Sequence, residues 1–264
     1  MCYNIKMGYL DIAIKAAKKA GEVHKRYFKG ESEVGTKSAS YDLVTDADIE
    51  SENTIVSFIR RHFPDHNFLA EEQKYKRTDS EYTWIIDPLD GTNNFSCKIP
   101  IFCVSIALAK GSELIAGVVY DAVKGELFCA EKGKGAFMNG KPIKVNSVGT
   151  LEKALLITGL YYDRAEKMVE TLDKIKEFFF RRILGLRRFG AAALDLSYVA
   201  CGRASGFWEF ELSPWDFAAG KLIIEEAGGK VTCRNGEAVD IYKKSYVVTS
   251  NGLIHDKMLE VLGK

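Results

Sequence analysis

Asp87 and Asp90 stand three residues apart in the stretch Trp84-Ile85-Ile86-Asp87-Pro88-Leu89-Asp90-Gly91-Thr92. Trp84 to Ile86 are apolar and β-prone, which predicts the end of a buried strand. Pro88 lacks an N–H and has a fixed φ, so it is expected to stop the strand and shape a turn. That turn brings two anions together at the edge of an apolar element, where they repel unless a cation lies between them. No Lys, Arg or His occurs between Ile85 and Cys97. A bound divalent ion answers the repulsion. An all-oxygen ligand set points to a hard cation such as Mg2+, which commonly keeps waters and binds substrate phosphate. Gly91 and Thr92 then open a short helix through Phe95, with Thr92 as its cap and free N–H groups for an anion. Ordinary turn chemistry would also account for Asp-Pro and Asp-Gly.

Other elements bring further carboxylates. Phe68-Leu69-Ala70 reads as a short strand closed by Glu71-Glu72, a second buried strand delivering a carboxylate at its end. Two such events in neighbouring strands suggest carboxylates converging on one edge. Asp46 and Asp48 fall in the first turn of a helix over Ile49 to Phe63, with Thr45 as N-cap, where the macrodipole favours anions. Ser213-Pro214-Trp215-Asp216 opens a helix over Phe217 to Ala227, and Asp216 suits that helix start in the same way. Gly190-Ala191-Ala192-Ala193 begins a helix through Cys201, another candidate anion-binding N-terminus. Glu209 sits near the end of a strand over Ser205 to Phe210. Lys29 to Tyr41 reads as a mobile loop or hairpin, with Lys37 its most interesting charge. Tyr9 to Phe28 is an amphipathic helix on which His24 is expected at the surface.

The chain divides by pattern at about residue 150. Residues 1–150 form an N-terminal α+β half with an antiparallel sheet, including strands over Phe102 to Ala109, Leu114 to Tyr120 and Glu126 to Glu131. Residues 151–264 form an α/β half: a strand at Ala154 to Thr158, a helix from Arg164 to Phe180, strands at Lys230 to Thr232 and Ser245 to Ser250, and a helix from Asn251 to Leu262. The sequence has 264 residues, 47% of them hydrophobic, and a formal charge of +1. That supports a large core and gives no general argument for nucleic acid or membrane binding. The six cysteines show no zinc or redox spacing, so buried reduced thiols in a cytoplasmic protein are expected.

With Glu71, Asp87 to Thr92 and Trp215-Asp216-Phe217-Ala218-Ala219-Gly220 named, the chain resembles the inositol monophosphatase family of Mg2+-dependent, lithium-sensitive sugar phosphatases. The resemblance runs from about Leu10 to the C-terminus and is nearest to bacterial members. It implies an α+β fold, a layered αβαβα sandwich, usually homodimeric. It also implies two or three Mg2+ ions per site. By that resemblance Glu71, Asp87 and the Leu89 carbonyl hold one ion, with Glu71 also catalytic, and Asp87, Asp90 and Asp216 hold another. Asp48 and Thr92 orient the attacking water. Gly91 and Thr92 hold the phosphate. Lys37 approaches from the mobile loop. Gly190, Ala191 and Glu209 contact the alcohol part of the substrate, which Asp90 and Asp216 also border.

The expected reaction is Mg2+-dependent hydrolysis of a small phosphate monoester, foremost inositol 1-phosphate, with water as the nucleophile. Two residues separate Asp87 from Asp90, a spacing that suits shared metal ligation better than the Asp-x-Asp of aspartyl-phosphate enzymes. Fructose-1,6-bisphosphatase or 3′-phosphoadenosine nucleotidase activity would use the same residues. Substrate choice is then expected at Tyr161, Tyr162, Arg164, Arg187, Arg188 and Glu209. A regulatory binding protein that keeps the fold is the alternative of a different class.

Overall fold

The computed structural model describes residues 8–30, 34–36, 43–160 and 165–263; Lys37, Tyr161, Tyr162 and Arg164 lie outside them. In chain order the elements are α1 (Tyr9–Lys29), β1 (Val34–Thr36), β2 (Leu43–Thr45), α2 (Asp46–Arg60), β3 (Asn67–Ala70), β4 (Tyr82–Asp90), α3 (Thr92–Ser96), β5 (Cys103–Lys110), β6 (Glu113–Asp121), β7 (Glu126–Glu131), β8 (Ala136–Met138) and β9 (Lys141–Pro142). There follow β10 (Leu155–Thr158), α4 (Glu166–Phe180), β11 (Gly185–Arg187), α5 (Ala192–Ala200), β12 (Gly206–Leu212), α6 (Pro214–Glu226), β13 (Lys230–Thr232), β14 (Ser245–Ser250) and α7 (His255–Leu262). Strands β3 to β9 form a seven-stranded sheet in chain order, and a five-stranded sheet runs β11-β10-β12-β14-β13.

Alternation along each strand assigns its two faces to two cores. Trp84, Ile86, Ile106 and Val118 face α1 and α2, where Ile12, Ala16, Ala20, Ile55 and Ile59 cover them. Ile85, Ala107 and Val119 face the middle core with α5 and α6, which Ile157, Phe207 and Val247 of the smaller sheet close from the far side. Leu156, Trp208 and Val248 point the other way, onto Phe178 of α4 and Met258 and Leu262 of α7. The layers are therefore helix, sheet, helix, sheet, helix, the αβαβα sandwich expected. Removing a fully buried ring such as Trp84 from such a core costs roughly 3–5 kcal/mol. Among the described residues no helix is long and apolar enough to cross a membrane.

Several boundaries differ from expectation. Strand β4 does not stop before Pro88. Its pairing with β5 continues to Asp90, with an irregularity between Asp87 (opposite Ser105) and Asp90 (opposite Cys103). Three steps on one strand match two on the other, a bulge that accommodates a residue without an N–H. β3 pairs with β4 in parallel, so the larger sheet is mixed, not wholly antiparallel. Helix α2 begins at Asp46 and ends at Arg60, earlier than expected at both ends. α7 begins only at His255, because Asn251 Oδ1 accepts the Leu253 and Ile254 N–H groups and holds that segment as a turn. Edge strand β11 was not expected at all. Of the described thiols, Cys103 and Cys129 are buried but Cys97 is exposed, and none is in a disulfide.

Candidate active site

The parallel pairing of β3 and β4 puts Ala70 opposite Ile86, so Glu71 and Asp87 leave their strands side by side at one edge of the sheet. The β4 bulge then turns Asp90 towards α5. Asp90 Oδ2 accepts the Ala193 N–H at 2.7 Å and Oδ1 accepts the Ala192 N–H at 3.2 Å, both at the α5 N-terminus. The Cys103 thiol donates to Oδ2 at 3.7 Å. Asp87 Oδ1 accepts the Leu89 N–H at 3.0 Å. Asp216 arrives from α6 in a capping box, its Oδ2 accepting the Ser213 N–H at 2.7 Å. Ser105 Oγ donates to the Trp215 carbonyl and fixes the start of α6 against β5.

These carboxylates act on one another. Burial pushes Asp87 well above the usual carboxylate range, and Glu71, Asp90, Asp216 and Asp48 push it further. Asp216 is raised in the same way, by burial and then by Glu71 and Asp90, against the Ser213 N–H. Asp90 is raised to about 6 by burial, with Glu71 adding to it and the α5 amides opposing. No cation among the described residues offsets the repulsion at these three groups. Oxygen donors converge there, and neither imidazole nor free thiolate competes, so the donor chemistry fits a hard divalent ion. Among the described residues no three of these side chains already form a closed metal cage. Asp87 and Asp216 are instead each held by a backbone N–H of their own segment, and Asp90 by two from α5.

Thr92 joins this cluster to α2. Its hydroxyl lies 3.2 Å from Asp48 Oδ1 and 3.1 Å from the Leu89 carbonyl. Asp48 is fully buried, which a solvated helix-end anion would not be. Gly91 caps α3 with φ +95°, and a β-carbon there would stand 2.9 Å from the Ile101 carbonyl, so the turn needs glycine.

Ala191 and Gly190 pack against this turn, since β-carbons built on Gly91 and Gly190 would stand 3.2 Å from Ala191 Cβ and 3.3 Å from Asn94 Nδ2. Asn94 Nδ2 donates to the Ile101 and Phe189 carbonyls at 2.8 and 2.7 Å, tying α3 to the segment before α5. The sequence assigned Asn94 no such part. Glu209 ends the regular part of β12, opposite Val247. Burial raises it to about 8, with Asp90 contributing and Arg188 opposing.

His24 is not at the surface. It is fully buried, edge-on to Phe95 and Phe102, and its Nε2–H donates to the Pro88 carbonyl at 2.8 Å. Its burial lowers it to about 4, so the ring is neutral. The signal was in the spacing: Ala13, Ala17, Ala20 and His24 continue one buried stripe of α1.

Known proteins resemble the chain over nearly its whole length. The model of the inositol monophosphatase family matches residues 8–264. An inositol-1-monophosphatase of Synechocystis sp. is 41% identical, the match covering 96% of this chain and 88% of that protein. A fructose-1,6-bisphosphatase/inositol-1-monophosphatase of Thermotoga maritima is 38% identical, covering 98% and 97%. Among solved structures, the extragenic suppressor protein suhB of Bartonella henselae superimposes with a TM-score of 0.90 at 38% identity, covering 96% and 97%. An IMPase/NADP phosphatase complexed with Mg2+ and phosphate gives 0.83 at 29%, covering 93% and 91%.

Proposed function

The chain belongs to the inositol monophosphatase family and is a phosphatase, and on that premise we propose that its site hydrolyses inositol 1-phosphate. The observation that supports this reading is that the charges of Glu71, Asp90, Asp216 and Asp48 all act on buried Asp87, beside the Asp48–Thr92 hydrogen bond. The family is Mg2+-dependent. Glu71, Asp87 and the Leu89 carbonyl would hold one ion, and Asp87, Asp90 and Asp216 another. When bound, Mg2+ supplies positive charge to the phosphate and leaving oxygens and acidifies water.

The protein's own groups then have separate tasks. Asp48 accepts the proton of the attacking water, directly or through the Thr92 hydroxyl. The Gly91 and Thr92 amides bind phosphate oxygens. Glu209, with the Gly190–Ala191 backbone, accepts or donates hydrogen bonds to the alcohol half. Asp90 links the two sides, because the carboxylate at the metal edge also holds the α5 amides. Lys37, outside the described residues, would add positive charge. The exposed Phe179, Phe180 and Leu184 on the α4–β11 side suit contact with a second copy of the chain. We also infer a cytoplasmic location, in keeping with free thiols.

Phosphate release from inositol 1-phosphate, fructose 1,6-bisphosphate and adenosine 3′,5′-bisphosphate, with Mg2+ or with chelator, tests the reading. Inositol 1-phosphate is expected to be turned over fastest and only with Mg2+. Preference for either bisphosphate would replace the substrate; the Thermotoga relative's double name makes fructose 1,6-bisphosphate the second reading. Release that is indifferent to Mg2+ would overturn the metal assignment.

A further inference from the structure

Strand β12 offers Glu209 only two flanking places on its face of the sheet. Phe207 and Glu209 point the same way, towards α5 and the middle core. On one flank Val247 of β14 lies directly opposite Glu209 and is fully buried. On the other flank β10 runs parallel, with Thr158 beside Trp208, so the next residue, Gly159, comes beside Glu209. A β-carbon built on Gly159 would overlap the Glu209 carboxyl carbon and both its oxygens. The carboxylate therefore lies flat across the bare Cα of Gly159. Among the described residues nothing hydrogen-bonds to it; burial, Asp90 and Arg188 are what act on it. The strand end beneath is fixed, since Thr158 Oγ1 donates to the Trp208 carbonyl at 2.8 Å.

We propose that Gly159 is the positioning residue for Glu209: its missing side chain sets where the carboxylate lies, and so which alcohols the phosphatase accepts. This rests on the reading that Glu209 meets the alcohol half of the substrate. Among the described residues no donor reaches the carboxylate laid across Gly159, and hydroxyl groups of a polyol supply donors. A side chain at 159 lifts the carboxylate off this seat and mispositions it. Gly159 does not require a left-handed backbone, so alanine there tests space alone.

The experiment compares wild type, Gly159→Ala, Glu209→Ala and the double variant on inositol 1-phosphate and on phenyl phosphate, whose alcohol carries no further hydroxyl. Gly159→Ala is expected to lower the inositol-over-phenyl ratio of kcat/KM by about tenfold, the scale of one lost hydrogen bond to a charged acceptor, and mainly through KM. In the Glu209→Ala background, where the obstructing carboxylate is gone, adding Gly159→Ala changes the ratio no further. Melting curves with and without Mg2+ run in parallel: the double variant melts with Glu209→Ala, and Mg2+ stabilises both equally. Equal losses from Gly159→Ala in both backgrounds, or a double variant that fails to fold, would make the glycine a strand requirement and overturn the proposal. A normal ratio in Gly159→Ala beside a reduced one in Glu209→Ala also overturns it, while leaving the Glu209 reading intact. A normal ratio in Glu209→Ala removes that reading itself.

Discussion

Asp48 Oδ1 and Thr92 Oγ1 meet at 3.2 Å across 44 positions of sequence. The same hydroxyl is 3.1 Å from the Leu89 carbonyl. A threonine hydroxyl has one proton, so it donates to one of the two at a time and leaves its lone pairs for a further donor. In the proposed reaction the attacking water would be such a donor, with Asp48 as the base behind it.

Asp48→Asn is expected to keep the shape, because the two side chains are nearly isosteric, and to lose only the first-turn charge of α2. Turnover should nevertheless fall at least about tenfold, the low end for loss of a general base, with melting and Mg2+ binding nearly intact. Thr92→Ser retains the hydroxyl and much of the rate. Unchanged turnover in Asp48→Asn would return Asp48 to a purely structural part.

Asp90→Asn removes a charge from the shared edge and one acceptor from the α5 amides. Turnover is expected to fall about a thousandfold, equivalent to roughly 4 kcal/mol of lost charge stabilisation. The rise in melting temperature on adding Mg2+ should shrink with it. A variant that keeps both the rate and the Mg2+ shift would remove Asp90 from the metal edge.

The raised carboxylates give the metal-free protein a signed pH dependence. With Asp90 lifted to about 6, the folded state holds a proton that the unfolded chain releases near 4, so this contribution is stabilising in acid and is lost as pH rises through about 6. Bound Mg2+ would replace those protons. The difference in melting temperature between Mg2+ and chelator should therefore be larger at pH 8 than at pH 5. A difference that is flat or shrinks with pH would contradict mutual repulsion at this edge.

His255 works in the opposite sense. It is buried between Thr232 Oγ1 and Ser250 Oγ, and burial lowers it to about 4. Its contribution is present above the ordinary histidine value of about 6.5 and is lost as pH falls towards 4, because the unfolded chain takes up the proton first. His255→Gln should be less stable than wild type at pH 7, and the gap should narrow by pH 4.5. Melting curves of the two proteins across that range test it; a constant gap would mean that the imidazole takes up its proton alike in the folded and the unfolded chain.

The placement of these carboxylates at one sheet edge was legible because local signals and global placement agree there. Asp87, Asp90, Glu71 and Asp216 each follow an apolar strand or open a helix, and the fold brings those ends together. The β4 bulge was less visible: proline usually ends a strand, and only pairing with Cys103 and Ser105 shows it carried through one. β11 is three residues long and lacks a period to read. His24 was misread because histidine is commonly exposed, although its place in an alanine stripe pointed inward. Gly159 carries no sequence signal for its part, since what matters there is an absence of atoms next to a residue 50 positions later, a separation that the Thr158–Trp208 contact shares.

The bond from His24 to Pro88 gives the first helix a stake in the chemistry. Proline offers no N–H, so this carbonyl is the only hydrogen-bonding handle its backbone has, and α1 holds it. Fraying of α1 past His24 and slackening of the Asp87–Asp90 turn thus become parts of one cooperative opening. By linkage, any ligand that favours the ordered turn also protects the amides of a helix it never touches.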